Sequence, residues 1–366
     1  MSKQATTEAM MIFAGISDPR MERTKVHSLE VILFIALSST LSGAQGFYEM
    51  EDYAKGRKEW LRKNIGMVSV PSHDTFNRVF QVIPAESMEK CLVEFSARLR
   101  KEVSGEVVAF DGKTHRRSGG GGKSALHVLN AWAGENRLAL GQLAVGEKSN
   151  EITAMPLLME MLVLKGCVVT SDALNTQKAV AAKAVEKEAD YVLALKGNHP
   201  LMHEEVSCFM DDIAAREQPG WDETEKDHGR IERRRCWQSE EVDWYEGKDE
   251  WKGLRSFVLI ESERIVNGAR ETQRRYYISS LGRDEKRVAK CVRSHWLVEN
   301  ALHWSLDVTF GEDQSRARAK NSAKNLGILR VLCLNILKRI PGKSSLRSKM
   351  FQNAINLQRL LQSLAF

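Results

Sequence analysis

The periodicity of this chain changes at Glu106, and that change limits its possible folds more than any other feature. Upstream the pattern is helical; downstream come short apolar runs separated by turn residues. Residues 107–111, 125–133 and 138–145 read as three consecutive strands. Residues 153–164 then read as a helix, 168–172 as a strand, 177–188 as a helix and 191–196 as a strand. Three hairpin-joined strands followed by alternating helices and strands predict an α/β architecture, a mixed sheet with helices on its faces. Two of the apolar runs end on an acid: Asp111 follows Val107-Val108-Ala109-Phe110, and Asp172 follows Val168-Val169-Thr170-Ser171. A third acid, Glu299, sits within a predicted helix, in His295-Trp296-Leu297-Val298-Glu299-Asn300. The carboxyl end of a strand lies at the rim of its sheet, where side chains from distant segments converge. Three carboxylates meeting there repel one another, and hard divalent cations such as Mg²⁺ or Mn²⁺ relieve that repulsion through oxygen ligands. Two such ions can clamp the attacking and leaving oxygens of a phosphoryl displacement, so the three acids point to metal-dependent chemistry on nucleic acid.

With 366 residues the chain can hold two or three domains and bury a substantial core. Its six cysteines are scattered with no Cys-x-x-Cys pair, which argues against a disulfide framework or zinc knuckle and fits a reducing interior. The longest apolar stretch, residues 29–41, is interrupted by polar residues, too short to span a bilayer and too far inside for a signal peptide. A cytoplasmic protein with no membrane partner is expected. The net charge of +6 is uneven: from Gln314 onward there are eleven Lys or Arg and no acid, which leaves −5 for the other 313 residues. Arg316 and Arg318 open this stretch, directly after the third acid. A run of that kind is often only a solvated helix face, but the absence of acid favours a polyanion contact.

Three regions are expected. Residues 1–104 form an all-α N-terminal unit, with a buried helix over 29–41, an amphipathic one around 48–62, and a start at Ser72 before His73. Helix, turn and short helix there are compatible with DNA reading by Asn77 and Arg78, a pattern that many helical bundles share. Residues 105–340 hold the sheet, and 341–366 form a basic helical tail. The interval from Asp172 to Glu299 is 127 positions, against 61 between Asp111 and Asp172. That surplus requires an insertion, read as β-rich over about 200–282 from polar strand-like runs and glycine turns. The order of elements after residue 105 resembles the ribonuclease-H-like fold, in which the first and fourth strands are neighbours; the resemblance brings Asp111 and Asp172 together.

Five short words carry a closer resemblance: Phe110-Asp111-Gly112-Lys113-Thr114, Ser171-Asp172-Ala173-Leu174-Asn175-Thr176-Gln177, Leu195-Lys196-Gly197-Asn198, His228-Gly229-Arg230-Ile231-Glu232-x-Arg234, and the long His295-to-Val308 segment with Glu299, Asn300, His303 and Asp307. In this order they resemble the DDE transposases of bacterial insertion sequences, above all the H-repeat-associated proteins linked to Rhs elements. The resemblance implies that Asp111, Asp172 and Glu299 are the catalytic, metal-holding acids, with Asp111 shared between two Mg²⁺ or Mn²⁺ ions. It further implies cleavage at element ends, strand transfer by the freed 3′-hydroxyl, double-stranded DNA as partner in place of any small-molecule substrate, and a homodimer assembled on that DNA. Asn175, Lys196, Arg230, His295 and Asn300 are then candidates for supporting the acids or gripping the backbone.

One departure is visible. Many relatives place Tyr, Arg, Glu and Lys along the last catalytic helix, where this chain has Val292, His295, Glu299 and Leu306. His295, Arg293 or Lys290 must then replace the phosphate grip, or it is missing. Gly119 to Gly122 with Lys123-Ser124 fails as a P-loop, because its first required glycine is Arg117 and a strand follows. It reads instead as a basic hairpin loop, with Lys113, Arg116, Arg117 and Lys123 available to phosphates. His295, Glu299 and His303 at i, i+4 and i+8 raise a zinc-hydrolase alternative, but the spacing is not His-Glu-x-x-His. Glu312 and Asp313 read as a turn. An inactive DNA-binding remnant and a structure-specific nuclease remain the principal alternatives.

Overall fold

Six helices precede the first strand in the computed structural model, which describes residues 2–120, 124–146, 151–227, 230–266 and 269–365. They are α1 (Ser2–Met11), α2 (Leu29–Leu41), α3 (Phe47–Gly56), α4 (Lys58–Ile65), α5 (His73–Val82) and α6 (Ala85–Leu99). Every residue of α2 except Glu30 is buried, the apolar run from Val31 to Leu37 together with Ser38 and Ser39, whose hydroxyls donate to carbonyls of their own helix. The single helix expected around 48–62 is two: Gly56 ends α3, and Arg57 leaves the helical region (φ −113°, ψ 16°) before α4 begins. Ser72 caps α5 as its sequence predicts, Oγ accepting from the Thr75 N–H at 3.3 Å.

Then follow β1 (Val107–Thr114), β2 (His127–Ala133), β3 (Leu138–Val145), α7 (Glu151–Met161), β4 (Val168–Ser171), α8 (Lys178–Glu186) and β5 (Asp190–Leu195). The segment expected as a β-rich insertion opens with a helix, α9 (Pro200–Arg216), and continues as β6 (Trp221–Asp227), β7 (Arg230–Ser239), β8 (Ser256–Val266) and β9 (Ala269–Ser279). All nine strands join one sheet in the order β3-β2-β1-β4-β5-β9-β8-β7-β6. β1, β4 and β5 run parallel and every other neighbour is antiparallel. Val107 to Phe110 pair with Val168 to Ser171, so the first and fourth strands lie side by side as expected, and Asp111 and Asp172 follow them to the same edge.

Strand alternation divides the core between the two faces. Val108 and Phe110 point into an apolar layer with Met155 and Leu158 of α7, Val180 of α8 and Val206 of α9. Val107, Val168 and Val192 point the other way, onto Val288, Cys291 and Val292 of α10 (Glu285–His295). The chain closes with α11 (Ser322–Arg339), α12 (Leu346–Ile355) and α13 (Leu357–Ser363). α11 is buried from Asn325 to Leu337 and shares one core with the N-terminal helices. Two of its polar side chains pin it: Asn335 exchanges two hydrogen bonds with the Ala139 backbone (3.0 and 2.9 Å), and Asn325 donates to the carbonyls of Phe80 and Ile83 (2.9 Å each). The basic tail is therefore partly internal. Arg330 is buried and donates to the Gln45 carbonyl, Lys349 is buried on the carbonyls of Leu337 and Ile340, and Lys338 lies over the Trp132 ring at 5.0 Å. The six cysteines are unpaired, and no helix among the described residues is long and apolar enough to cross a membrane.

Candidate active site

Asp111 lies within β1, one residue past its pairing with β4, and Asp172 directly follows β4; β1, expected to end at residue 111, continues to Thr114 because β2 pairs with it that far. Gly112, directly after Asp111, admits a neighbour that no larger residue would tolerate: a Cβ at 112 would collide with the Glu151 carboxylate at the start of α7. Glu151 is thereby a fourth acid at this rim, and no sequence word marked it. Asn175, fully buried in the turn after Asp172, ties the two together. Its Nδ2 donates to Glu151 Oε2 at 2.8 Å and to Asp172 Oδ1 at 3.1 Å, and its N–H donates to the same Asp172 oxygen at 3.2 Å. An Asx-type turn of this kind fixes a carboxylate rotamer through the local backbone.

Glu299 arrives from the opposite side. Beyond α10 the helix continues past a turn at Trp296 and widens into π-helical turns at Glu299–His303 and Ser305–Thr309, a distortion that often marks functional positions. Val298, Leu302 and Leu306 anchor this segment in the core shared with the N-terminal helices, leaving Glu299 two-thirds exposed. His303, one turn on, faces two acids: its Nδ1 lies 3.0 Å from Glu299 Oε2 and 3.5 Å from Asp111 Oδ2. Its Nε2 meets Asn130 Nδ2 at 3.5 Å, and Asn130 Oδ1 accepts from Gln142 at 3.0 Å. That chain assigns the ring proton to Nδ1, where it bridges the acids.

Crowding shows in the electrostatics. Burial, then the charges of Asp172, Glu151 and Glu299, push the Asp111 carboxyl up to about 7. Burial takes His295 down to about 4, only partly offset by Asp172; its Nδ1 lies 3.1 Å from Thr170 Oγ1. His295 is therefore uncharged at neutral pH and would meet a phosphate only as a neutral hydrogen-bond donor, not as a cation. The other two candidates are engaged elsewhere, Lys290 with Glu135 (2.9 Å) and Arg293 with Glu225 (2.6 Å).

A cavity of about 450 Å³ lies at the rim, lined by Asp111, Asp172, Glu299, Lys196, His295 and Arg275. Arg275 comes from β9 and sits over the half-exposed Trp296 ring at 4.9 Å. Reading the sequence missed it, since one arginine in a polar strand carries no signal. A second cavity of about 640 Å³ shares Arg275 and Trp296 and adds Arg230, Arg234, Arg264 and Asn300. Arg316 and Arg318 are exposed along a third groove that also takes in Asn77 of α5. Arg116 and Arg117 are exposed too, but the Arg116 N–H and guanidinium meet Asp313, and the Arg117 carbonyl accepts from Arg318 at 2.9 Å. Lys113 departs from expectation. It is buried, donating to Asp307 at 2.6 Å and Glu312 at 2.5 Å, and cannot meet a phosphate. Lys123, His228 and Gly229 lie outside the described residues.

Known families give this geometry a context. The family model described as "Transposase DDE domain" matches residues 103–336, and one described as "DDE_Tnp_1-associated" matches residues 10–96. This chain belongs to the DDE transposase family. It is 44% identical over 276 residues to "Uncharacterized protein in dhlA 3'region" of Xanthobacter autotrophicus, covering 73% of this chain and 92% of the relative. It is 35% identical to "Putative transposase YncI" of Escherichia coli O157:H7, covering 95% of this chain and 93% of the relative. It is 32% identical to "H repeat-associated putative transposase YhhI" of Escherichia coli (strain K12), covering 96% of each. A piggyBac transposase synaptic complex with hairpin DNA, solved by cryo-EM, superposes at a TM-score of 0.44 with 13% identity, covering 99% of this chain and 80% of that one. So loose a superposition decides nothing about this DDE family member; the sequence matches carry the assignment.

Proposed function

We propose that this protein is a DNA transposase that cuts the ends of an insertion sequence and joins the freed 3′-hydroxyls to target DNA, with Asp111, Asp172 and Glu299 as its catalytic acids. The observation that supports this best is their convergence on one cavity from β1, β4 and the last helix, close enough to push Asp111 up to about 7. The strand order β3-β2-β1-β4-β5, with β2 antiparallel between its neighbours, supports a ribonuclease-H-like core. The donor set also suits hard cations. Oxygen ligands predominate, and Asp111 and Glu299 are drawn together about His303 Nδ1, which lies 3.5 and 3.0 Å from their oxygens. Asp111, Asp172 and Glu299 would hold two Mg²⁺ or Mn²⁺ ions, which supply Lewis-acid activation of the attacking oxygen and charge stabilisation at the phosphoryl group.

The chain's own groups do the rest. Asn175 holds Asp172 in one rotamer, and His303 keeps its Nδ1 proton between Asp111 and Glu299. Lys196 and Arg275, flanking the acids, pair with phosphodiester oxygens and orient the scissile bond for in-line attack. Arg230, Arg234 and Arg264 line the adjoining cavity in pairs with Glu232 and would reach the DNA backbone by exchanging that partner for phosphate, and Arg316 and Arg318 offer a second contact beside the N-terminal helices. Two such chains assemble on paired ends in the cytoplasm, where bacterial DNA lies. Incubating the full chain with DNA bearing the element's flanking inverted repeats, in Mg²⁺ or Mn²⁺, tests this. Metal-dependent 3′-hydroxyl ends that disappear in Asp111→Asn support it; cleavage retained by that variant, or cutting with no need for the repeats, overturns it.

A further inference from the structure

We infer that Glu151 is a fourth acid of this site, a positioning residue that orients Asp172 through Asn175 and adds its charge to the field that attracts the divalent cations. This rests on the metal-dependent reading above. The carboxylate is held at both oxygens. Oε2 accepts from Asn175, whose same amide nitrogen reaches Asp172, and Oε1 pairs with His127 Nε2 at 2.6 Å. His127 is braced in turn by Thr114 Oγ1 at 2.8 Å. Glu151 thus clamps the β1–β2 hairpin to the turn after β4, at the point where β1, carrying Asp111, parts from β4 and Asp172 follows.

Two features argue that its negative charge matters and not merely its hydrogen bonds. A glutamine could accept from Asn175 and donate to His127 equally well, so the bonding pattern alone does not call for an acid. Yet Glu151 places a fourth carboxylate among three, one Asn175 amide away from Asp172 and against the backbone beside Asp111. A fold without a cation to bind would lose stability through such a placement. The backbone is also cut to admit it, because any side chain at Gly112 would strike the carboxylate. With a side chain only 13% exposed, Glu151 is little screened by water.

The test is Mn²⁺ binding by the full-length protein, followed by electron paramagnetic resonance of the free ion. Wild type is compared with Glu151→Gln, Gly112→Ala and Asp111→Asn, and melting temperature is recorded without metal. Glu151→Gln should keep its melting temperature but need on the order of tenfold more Mn²⁺ for half-saturation, the effect of one nearby unit charge. Gly112→Ala, which displaces the carboxylate without neutralising it, should shift binding the same way and decides the matter if Glu151→Gln does not fold. Wild-type Mn²⁺ affinity in the folded variants overturns the inference. If only Asp111→Asn loses binding, the metal reading stands and this inference alone falls; if wild type and Asp111→Asn bind alike, both fall.

Discussion

Replacing Asp111 with Asn should stabilise the metal-free protein while abolishing cleavage. In the unfolded chain this carboxyl ionises near 3.8; folding holds its proton to about 7. Between those values the unfolded state has lost a proton that the folded state keeps, so each rise in pH favours unfolding. Above pH 7 both states are ionised and the whole penalty remains; below pH 3.8 it is absent. Three units at 1.36 kcal/mol each give about 4 kcal/mol, and since the side chain is one-quarter exposed, solvent screening makes about 2–4 kcal/mol the fair range. An unfolding entropy of about 2.1 cal/mol/K per residue over 366 residues is about 0.8 kcal/mol/K. By calorimetry in chelator at pH 8, Asp111→Asn should therefore melt about 3–5 °C above wild type, an advantage falling to about 1–2 °C at pH 5. Saturating Mn²⁺ should raise the wild-type melting temperature and leave the variant unmoved. A variant that melts below wild type at pH 8, or a difference that does not change with pH, would refute the reasoning.

Other outcomes follow from the same structure. Lys113→Met leaves Glu312 buried with only His115 and the charge of Arg330 to offset it, strips Asp307 of its partner, and should cost about 3–5 kcal/mol in urea unfolding; adding Glu312→Gln should recover most of it, and a single variant within about 1 kcal/mol of wild type would contradict the buried pair. The His295 ring, taken down to about 4 by burial, should show an NMR Cε1 resonance that is flat from pH 5.5 to 8, whereas a midpoint near 6.5 would place it in water. Leu33→Ala, in the middle of α2 with no exposed surface, should lower stability by about 2–5 kcal/mol in the same urea measurement.

The elements most legible in the sequence were those whose pattern is decided locally. α2 and β3 fall on their predicted bounds, because a predominantly apolar helix and a hairpin strand need no distant partner to be recognised. Asp111 and Asp172 were readable for the same reason, since each simply ends an apolar run. What could not be read is what depends on register and packing. β6 is Trp221–Asp227, almost wholly charged, and is a strand only because β7 pairs with it residue for residue. Glu151 opens an unremarkable helix and reaches the site only because Gly112 makes room. Lys113 looked like a phosphate contact because a basic loop follows it, but strand alternation turns it inward, towards Asp307 and Glu312.

Lys113 also indicates how the third acid is kept in place. Asp111 is fixed by backbone pairing within β1 and Asp172 directly follows β4, whereas Glu299 rides on a helix whose inner face packs mainly among the N-terminal helices and α11, the sheet contributing Ala109, Trp132 and Ala139 to that core. The two bodies must hold a constant relation if the acids are to share cations within half an ångström or so. Lys113, two residues beyond Asp111, bonds both Asp307, eight beyond Glu299, and Glu312, whose carboxylate also faces His115 at 3.3 Å and the buried charge of Arg330 on α11. Burial would raise the Glu312 carboxyl, but His115, Lys113 and Arg330 outweigh it and hold it below the usual range. A buried ionic cluster of this kind adds little net stability over an apolar one, but it tolerates only one arrangement. Its position, joining β1, the helix that carries Glu299 and α11, is where a single arrangement matters most for the distance between Asp111 and Glu299.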